Sequence, residues 1–430
     1  SFTIPLVLGN LFQLTYNAAD SVIVGKYVGE QALAAVGTST PIMNIAILLI
    51  SGMCMGASVL MSSQYGAKDY DTLSRQISTT MLAGCGFSVV FSLLMLLLAN
   101  PVLRLIRVPE TAIPEAAAYL RIIFMGLIFT FMYNFLANTM RALGDSKTPL
   151  YFLVTSAFLN IFGDLFFVVV LRWGVAGSAI ATVCSEGLCC LLCGIYIKKK
   201  IPLLCLGKKW WVFDKSLLGK TVSYGSTSAM QQVCLQLGKL IIQSVVNTQG
   251  VAVMAAFTAV NRVDDFAYTP QQNIGHAMTT FLAQNKGAGH KERMKKGFQT
   301  GLLIELVYSI GLFCVIWGLA PQIMTLFAED GDAQVVSLGI SYLHLISWMY
   351  ILPGLTNGVQ GFFRGIGDLK VTLYSTFMNM FGRVVAVFVM IRLLQMEFAS
   401  LAWANMVGWI VMLLFEVPLL VKSMRNGECG

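Results

Sequence analysis

The chain has 430 residues, of which 57% are hydrophobic and only 12% charged, with a net charge of +8. Soluble domains are typically about half apolar and about a quarter charged, and a mean hydropathy of +0.73 spreads the apolar excess along the whole chain. This balance excludes a secreted disulfide scaffold, a disordered chain and a nucleic-acid-binding domain, and predicts an all-α membrane protein. The positive charge needs no acidic partner, because Lys and Arg held on the cytoplasmic side of a bilayer account for it.

Helical spans of about 20 residues each fit roughly a dozen times into such a length. Apolar stretches bounded by charge or by Gly and Pro predict twelve, over residues 4–24, 33–62, 77–99, 117–141, 149–171, 175–197, 222–246, 252–282, 299–320, 335–361, 371–392 and 399–421. The sequence opens directly in the first of these, Ile4 to Val24, so no cleavable signal peptide is expected, and a polar lead-in is expected ahead of it. Most of the 29 Lys and Arg residues fall in the loops after even-numbered spans, which places those loops and both termini in the cytoplasm. Cys184, Cys189, Cys190 and Cys193 lie inside an apolar run with no His nearby, so they read as small packing residues rather than metal ligands.

The most basic stretch, Lys198 to Lys220, holds Lys198-Lys199-Lys200 and the pair Trp210-Trp211, a composition suited to the membrane surface. It marks the expected boundary between a bundle over residues 1–197 and one over 222–430, with 198–221 as a cytoplasmic linker. The halves are related in sequence. Arg141-Ala-Leu-Gly-Asp-Ser-Lys-Thr-Pro-Leu-Tyr151 aligns with Arg364-Gly-Ile-Gly-Asp-Leu-Lys-Val-Thr-Leu-Tyr374 at an offset of 223, the distance from Arg141 to Arg364. Six spans per half make the repeat parallel, a frequent design in secondary transporters.

Polar residues inside a membrane are costly and usually face the interior of the bundle. The first span carries Asn10, Gln13, Asn17 and Asp20 on one helical face. The fourth carries Thr130, Asn134 and Asn138; the fifth Ser156, Asn160 and Asp164; the sixth Ser178, Thr182 and Ser185. These stripes can meet in one pocket around Asp20 and Asp164, which would carry a proton, or hold Na⁺ with Asn160, Asn134 and Thr182 as neutral oxygen donors. The bland alternative is that Ser, Thr and Asn only join helices by hydrogen bonds.

In the second half the seventh span shows Gln232, Gln236, Lys239 and Gln243, and the eighth Asn261, Arg262, Asp264, Asp265 and Tyr268. Either acid–base pairs form here, Lys239 or Arg262 with Asp265, or these groups wall a substrate cavity. The offset places Arg383 where the first half has Asn160. Glu186, Glu305 and Glu416 lie outside any stripe and are expected to be paired or near an interface; His276 and His344 are expected to be isolated. No nucleophile–base or metal constellation appears, so an enzyme is not expected.

The motifs Ala34-Ala-Val-Gly37, Gln64-Tyr-Gly-Ala-Lys68, Arg141 to Pro149, Gly174-Val-Ala-Gly-Ser-Ala-Ile-Ala-Thr182 and Arg364-Gly-Ile-Gly-Asp368 resemble the multidrug and toxic compound extrusion (MATE) family. The resemblance implies twelve transmembrane helices in two six-helix bundles around a central cleft, exporting organic cations in exchange for H⁺ or Na⁺ by alternating access. It implies the DinF-like branch, with ion coupling at Asp20, Asn160, Asp164 and Thr182. Asn17, Tyr119, Asn134, Asn138, Gln232, Gln236, Arg262 and Asp265 are then the expected cavity residues. The NorM-like acids are not matched: Gln231, Gln232 and Asn357 stand in those stretches, so the second bundle is not expected to couple ions. Pro5 and Gly9 offer a place for the first helix to bend. The chain is thus expected to be a monomer in the plasma membrane (the inner membrane of a bacterium), with organic cations and lipid as partners, no nucleic acid, and no cofactor beyond the coupling ion. A lipid-linked precursor flippase of the same superfamily is the alternative.

Overall fold

The computed structural model describes residues 3–9, 12–13, 23, 26–28, 30–105, 108, 110, 112–200, 211–327, 333–395, 398 and 400–425. Among them there is no strand. The chain forms two compact units, Ser1–Ala229 and Met230–Gly430.

The first unit contains α1 (residues 3–9), α2 (Glu30–Gly66), α3 (Tyr70–Leu105), α4 (Ile113–Met125), α5 (Leu127–Ala142), α6 (Lys147–Asp164) and α7 (Gly174–Lys200). The helix α8 (Lys215–Val246) runs from the first unit into the second, which continues with α9 (Val251–Gly287), α10 (Lys291–Phe327), α11 (Ala333–Ser347), α12 (Ile351–Ile366), α13 (Leu369–Val387) and α14 (Ser400–Arg425). Every predicted span after the first coincides with one of these helices or with a helix broken once. Of the described helices, eight are long and apolar enough to cross a membrane, or nine if α4 and α5, bent by 46° at Gly126, count as one span. α8 and α9 have the length but carry Gln232, Gln236, Lys239, Arg262 and Asp264 on the way, and so fall below that hydropathy. The outside of the units is apolar: Leu97 is 78% exposed and Leu414 70%. Exposed leucines in such numbers fit lipid rather than water.

The repeat extends to the irregularities. The break at Gly126 has its counterpart in the 3₁₀ turn Trp348–Tyr350, which separates α11 from α12. A π-helical turn, Leu165–Val170, ends the fifth predicted span and another, Phe388–Leu393, ends the eleventh, again 223 residues on. The repeated Gly-Asp motif closes a helix twice in the same way. Gly144 and Gly367 adopt φ of 94° and 86°, values that favour glycine. The next amides, of Asp145 and Asp368, reach back to the carbonyls of Met140 and Phe363 at 3.0 and 2.8 Å, the six-to-one closure of a Schellman end. Asp145 then accepts from the Lys147 and Thr148 amides at 3.1 and 3.0 Å and starts α6.

The sequence placed a linker over 198–221 and opened the second half at 222, whereas α8 begins at Lys215 and its first turns pack in the first unit. Two glycines of α2 make that contact close. A Cβ on Gly52 would lie 2.6 Å from Cα of Ala229, and one on Gly56 2.4 Å from the Tyr224 carbonyl oxygen. Small residues let backbones approach in this manner. The connection is fixed from α3: Ser78 accepts from the Val212 amide at 3.0 Å, Thr79 from the Asp214 amide at 3.0 Å, and Gln76 donates to Thr221 at 2.5 Å.

Asp214 caps α8. Its Oδ1 accepts from the Ser216 and Leu217 amides at 2.9 and 3.2 Å, and its Oδ2 from Arg75 at 2.5 Å. The bond from the Leu217 amide, then the Ser216 amide and Arg75, lower the Asp214 carboxyl below the usual carboxylate range. A depressed carboxyl contributes stability that is present above its unfolded pKa, about 3.9, and is lost as pH falls through the folded value. Asp214→Ala is therefore expected to lower the exchange protection factors of the Ser216 and Leu217 amides at neutral pH, while acidification of the wild-type chain to well below about pH 4 lowers the same protection factors. Equal protection in the variant and the wild type at neutral pH would contradict the cap.

Candidate functional site

In the first unit α6 and α7 bring together three of the expected ion-coupling residues. Asn160 and Asp164, one turn apart on α6, are both enclosed, at 2% and 0% exposure. The Asn160 amide donates to Thr182 Oγ1 at 3.1 Å, and the Thr182 hydroxyl donates in turn to the Ser178 carbonyl at 3.1 Å. Asn160 Oδ1 is buried without a hydrogen-bond partner among the described residues, which leaves an oxygen available to a proton or a cation beside Asp164. Asp164 is the last α-helical residue before the π turn Leu165–Val170, so it stands where the helix changes its winding. π turns are frequent at functional sites.

Tyr119 is buried on α4 in a cluster with Val36, Val175 and Ala179, the last one turn before Thr182 on α7. Its hydroxyl points at Met43 Sδ, 3.8 Å away. Asn134 and Asn138 fold back on their own helix, donating to the carbonyls of Thr130 and Asn134 at 2.9 and 2.8 Å. Thr130 donates to Glu186 at 2.5 Å, which gives that acid a partner as expected. Asn17 and Asp20 lie outside the described residues.

Carried to the second unit by the repeat offset, Tyr119 becomes Tyr342, Asn160 becomes Arg383, Asp164 becomes Val387 and Thr182 becomes Asn405. The acid at this place comes from another helix. Asp264 of α9 is 4% exposed. It accepts from Tyr350 at 2.5 Å and from Tyr342 at 3.1 Å, and Asn405 donates to the Tyr342 oxygen at 2.8 Å. Arg383 lies within electrostatic reach of it. Two phenols thus hold the buried Asp264 carboxyl, with a guanidinium within electrostatic reach. The sequence reading gave Asp264 only as one of the eighth-span polar set and put Asp265 among the expected cavity residues, although the offset that carries Tyr119 to Tyr342 and Thr182 to Asn405 was the signal that could have found the cluster.

The other second-half residues are placed differently. Asp265 pairs with Lys239 at 3.2 Å, with both side chains about half exposed, so the acid–base alternative holds for it. Arg262 is exposed, and Gln232 and Gln236 are half-buried. His276, expected to be isolated, has its Nδ1 3.2 Å from Arg364 Nη1. Arg364 also donates to Gln360 Oε1 at 3.0 Å, and Gln231 donates to that oxygen and to Thr376 at 3.2 and 2.9 Å. The repeated arginine is a buried knot between helices, which spacing along one helix cannot reveal.

Tyr350→Phe would leave Asp264 Oδ1 without its shorter donor. The expected cost is about 1–3 kcal/mol, read as a lower melting temperature of the purified protein. An unchanged melting temperature would show that the phenol does not hold the acid.

The comparisons with known proteins follow the same division. The MatE family model matches twice, over residues 5–166 and 228–389, two segments that begin 223 residues apart. A probable multidrug resistance protein of Bacillus subtilis, YpnP, is 31% identical over 375 residues, covering 86% of this chain and 83% of the relative. A second one from the same organism, YoeA, is 29% identical over 389 residues, covering 88% and 82%. Among solved structures, an outward-facing multidrug resistance MATE family transporter of the MOP superfamily superposes with a TM-score of 0.91 at 22% identity, over 99% of this chain and 94% of that one. A MOP superfamily transporter from Pyrococcus furiosus does so with a TM-score of 0.91 at 21% identity, over 99% and 95%. The likeness in fold carries the twelve-helix, two-bundle architecture, and the family match carries the identity: this chain belongs to the MatE family and is a multi-pass membrane transporter, not an enzyme.

Proposed function

We propose that this chain is a secondary active exporter of organic cations, driven by inward movement of H⁺ or Na⁺ through alternating access. It would reside in the plasma membrane with both termini in the cytoplasm. The observation that carries the reading is Asp164: a fully enclosed carboxyl, on a helix that turns π-helical at the next residue, beside an amide oxygen with no hydrogen-bond partner among the described residues. An intramembrane acid in that setting is a functional residue by default. The names of the curated relatives, multidrug resistance proteins, support drug export as the task.

In this reading Asp164 takes up the coupling ion, with Asn160 and Thr182 fixing its surroundings and Asp20 as the second acid. The ion shifts the balance between inward- and outward-open states only through binding one of them better. Drug and ion then exclude each other from the first bundle, and release of the ion inside resets the carrier.

The test uses purified protein in liposomes loaded with a fluorescent organic cation, with a pH gradient and a Na⁺ gradient imposed in turn. Wild type is expected to move the cation under one gradient. Asp164→Asn is expected to lose gradient-driven movement, by at least about tenfold if the site contributes even 1.4 kcal/mol of coupling. Normal efflux from a folded Asp164→Asn protein would refute the assignment. No movement by folded wild type under either gradient would favour a lipid-linked flippase.

A further inference from the structure

Glu305 lies in the middle of α10 and is completely enclosed, at 0% exposure. Neither of its carboxyl oxygens has a hydrogen-bond partner among the described residues. The groups around it are polar. A Cβ placed on Gly354 of α12 would stand 2.9 Å from Ser309 Oγ, 3.2 Å from Gln271 Nε2 and 3.4 Å from Glu305 Oε2, so these three atoms converge on one point. Gln271 of α9 donates to Ser309 Oγ at 3.1 Å and to the Tyr350 carbonyl at 2.8 Å, and Ser309 reaches the same carbonyl at 3.3 Å. Gln271 Oε1 is left without a partner among the described residues. The Tyr350 carbonyl belongs to the 3₁₀ turn that breaks α11 from α12, which explains why side chains satisfy it.

The repeat shows that the fold does not require this cluster. The helices α9 and α10 begin 221 residues after α2 and α3, and the turn before α12 lies 223 after its counterpart, so Glu305, Ser309, Gln271, Tyr350 and Gly354 correspond to Gly84, Ser88, Ile50, Leu127 and Phe131 in the first unit. There the Phe131 ring fills the place of the acid, lying over Gly84, where a Cβ would come within 1.9 Å of it, and of the five positions only Ser88 is polar. An acid that stands where the first unit has a glycine under an aromatic ring, with no hydrogen-bond partner and no opposite charge beside it among the described residues, contributes nothing to helix association. A carboxylate in that setting would be very costly, whereas the neutral acid is tolerated.

We propose that Glu305 is a proton-binding site of the second unit, separate from the acids of the first. The ligand is H⁺ rather than a metal cation, because Ser309 Oγ and the Tyr350 carbonyl already accept from the Gln271 amide, and Gln271 Oε1 beside the carboxyl makes too small an oxygen set for a hard cation. The titratable neighbour is Tyr308, whose phenol donates to the Ala267 carbonyl at 3.1 Å. From α9, the turn and α12 the facing groups are the Gln271 amide, the Tyr350 carbonyl and Gly354, none of them charged. Asp264 is engaged by the Tyr350 hydroxyl, at the other end of that residue. The proton enters and leaves when the broken helix α11–α12 shifts against α10 and admits water to the carboxyl.

The measurement is pH-difference infrared spectroscopy of the full chain in liposomes, for wild type, Glu305→Gln, Glu305→Asp and Asp164→Asn. Wild type is expected to show a carboxylic-acid carbonyl band that disappears on alkalinisation. Glu305→Gln should lack this band, Glu305→Asp should move it, and Asp164→Asn should keep it. A wild-type band set unchanged in Glu305→Gln and Glu305→Asp would overturn the proposal, as would a band that responds to Na⁺ at fixed pH. The spectra do not depend on the antiport reading. Efflux driven by a pH gradient in the same liposomes does rest on it, and should show an altered pH profile in Glu305→Gln. A pH profile identical to wild type, with the band lost, would leave the site standing and remove its part in transport.

Discussion

An ionisable side chain enclosed in a membrane bundle has no water to lean on, and the helices around it would hold together better without it. Each unit accepts that constraint, but at a different place and with a different remedy. In the first unit Asp164 stands beside the Asn160–Thr182 hydrogen bond at a helix that turns π-helical. In the second the equivalent position is Val387, and the acid Asp264 is tied down by Tyr342, Tyr350 and the reach of Arg383. The frame is duplicated; the chemistry within it is not.

That contrast separates structure from function without an alignment. Features found in both units at the offset of 223 belong to the frame: the left-handed glycines Gly144 and Gly367, the two π turns, and the break near Gly126 and Trp348–Tyr350. Buried polar groups present in one unit only are the candidates for function. Tyr119 and Tyr342 fall between these classes. They are the same residue in both units, yet one faces a methionine sulfur and the other a carboxylate.

Much of this was legible in the sequence because the relevant signals are local or periodic. Span positions follow from apolar runs, the repeat from Arg141 and Arg364, and the shared face of Asn160 and Asp164 from their spacing on one helix. What could not be read depends on contacts between distant segments. Asp264 and Asp265 are adjacent in sequence, but a turn of about 100° per residue sends the first among phenols and the second to Lys239. Glu305 shares its helix face with Ser309 alone among the polar groups of its cluster, and the others come from α9 and the turn before α12. Nor could the packing of the start of α8 against Gly52 and Gly56 be read, a contact with no signature in composition.

The central claim is that the buried acids serve transport and are not needed by the fold. Thermal unfolding of Asp164→Val, which installs the residue found at the equivalent place in the second unit, tests it most directly when gradient-driven efflux is measured on the same preparation. The account predicts a melting temperature equal to or above wild type, together with loss of efflux. A large fall in melting temperature, or efflux that survives the substitution, would contradict it.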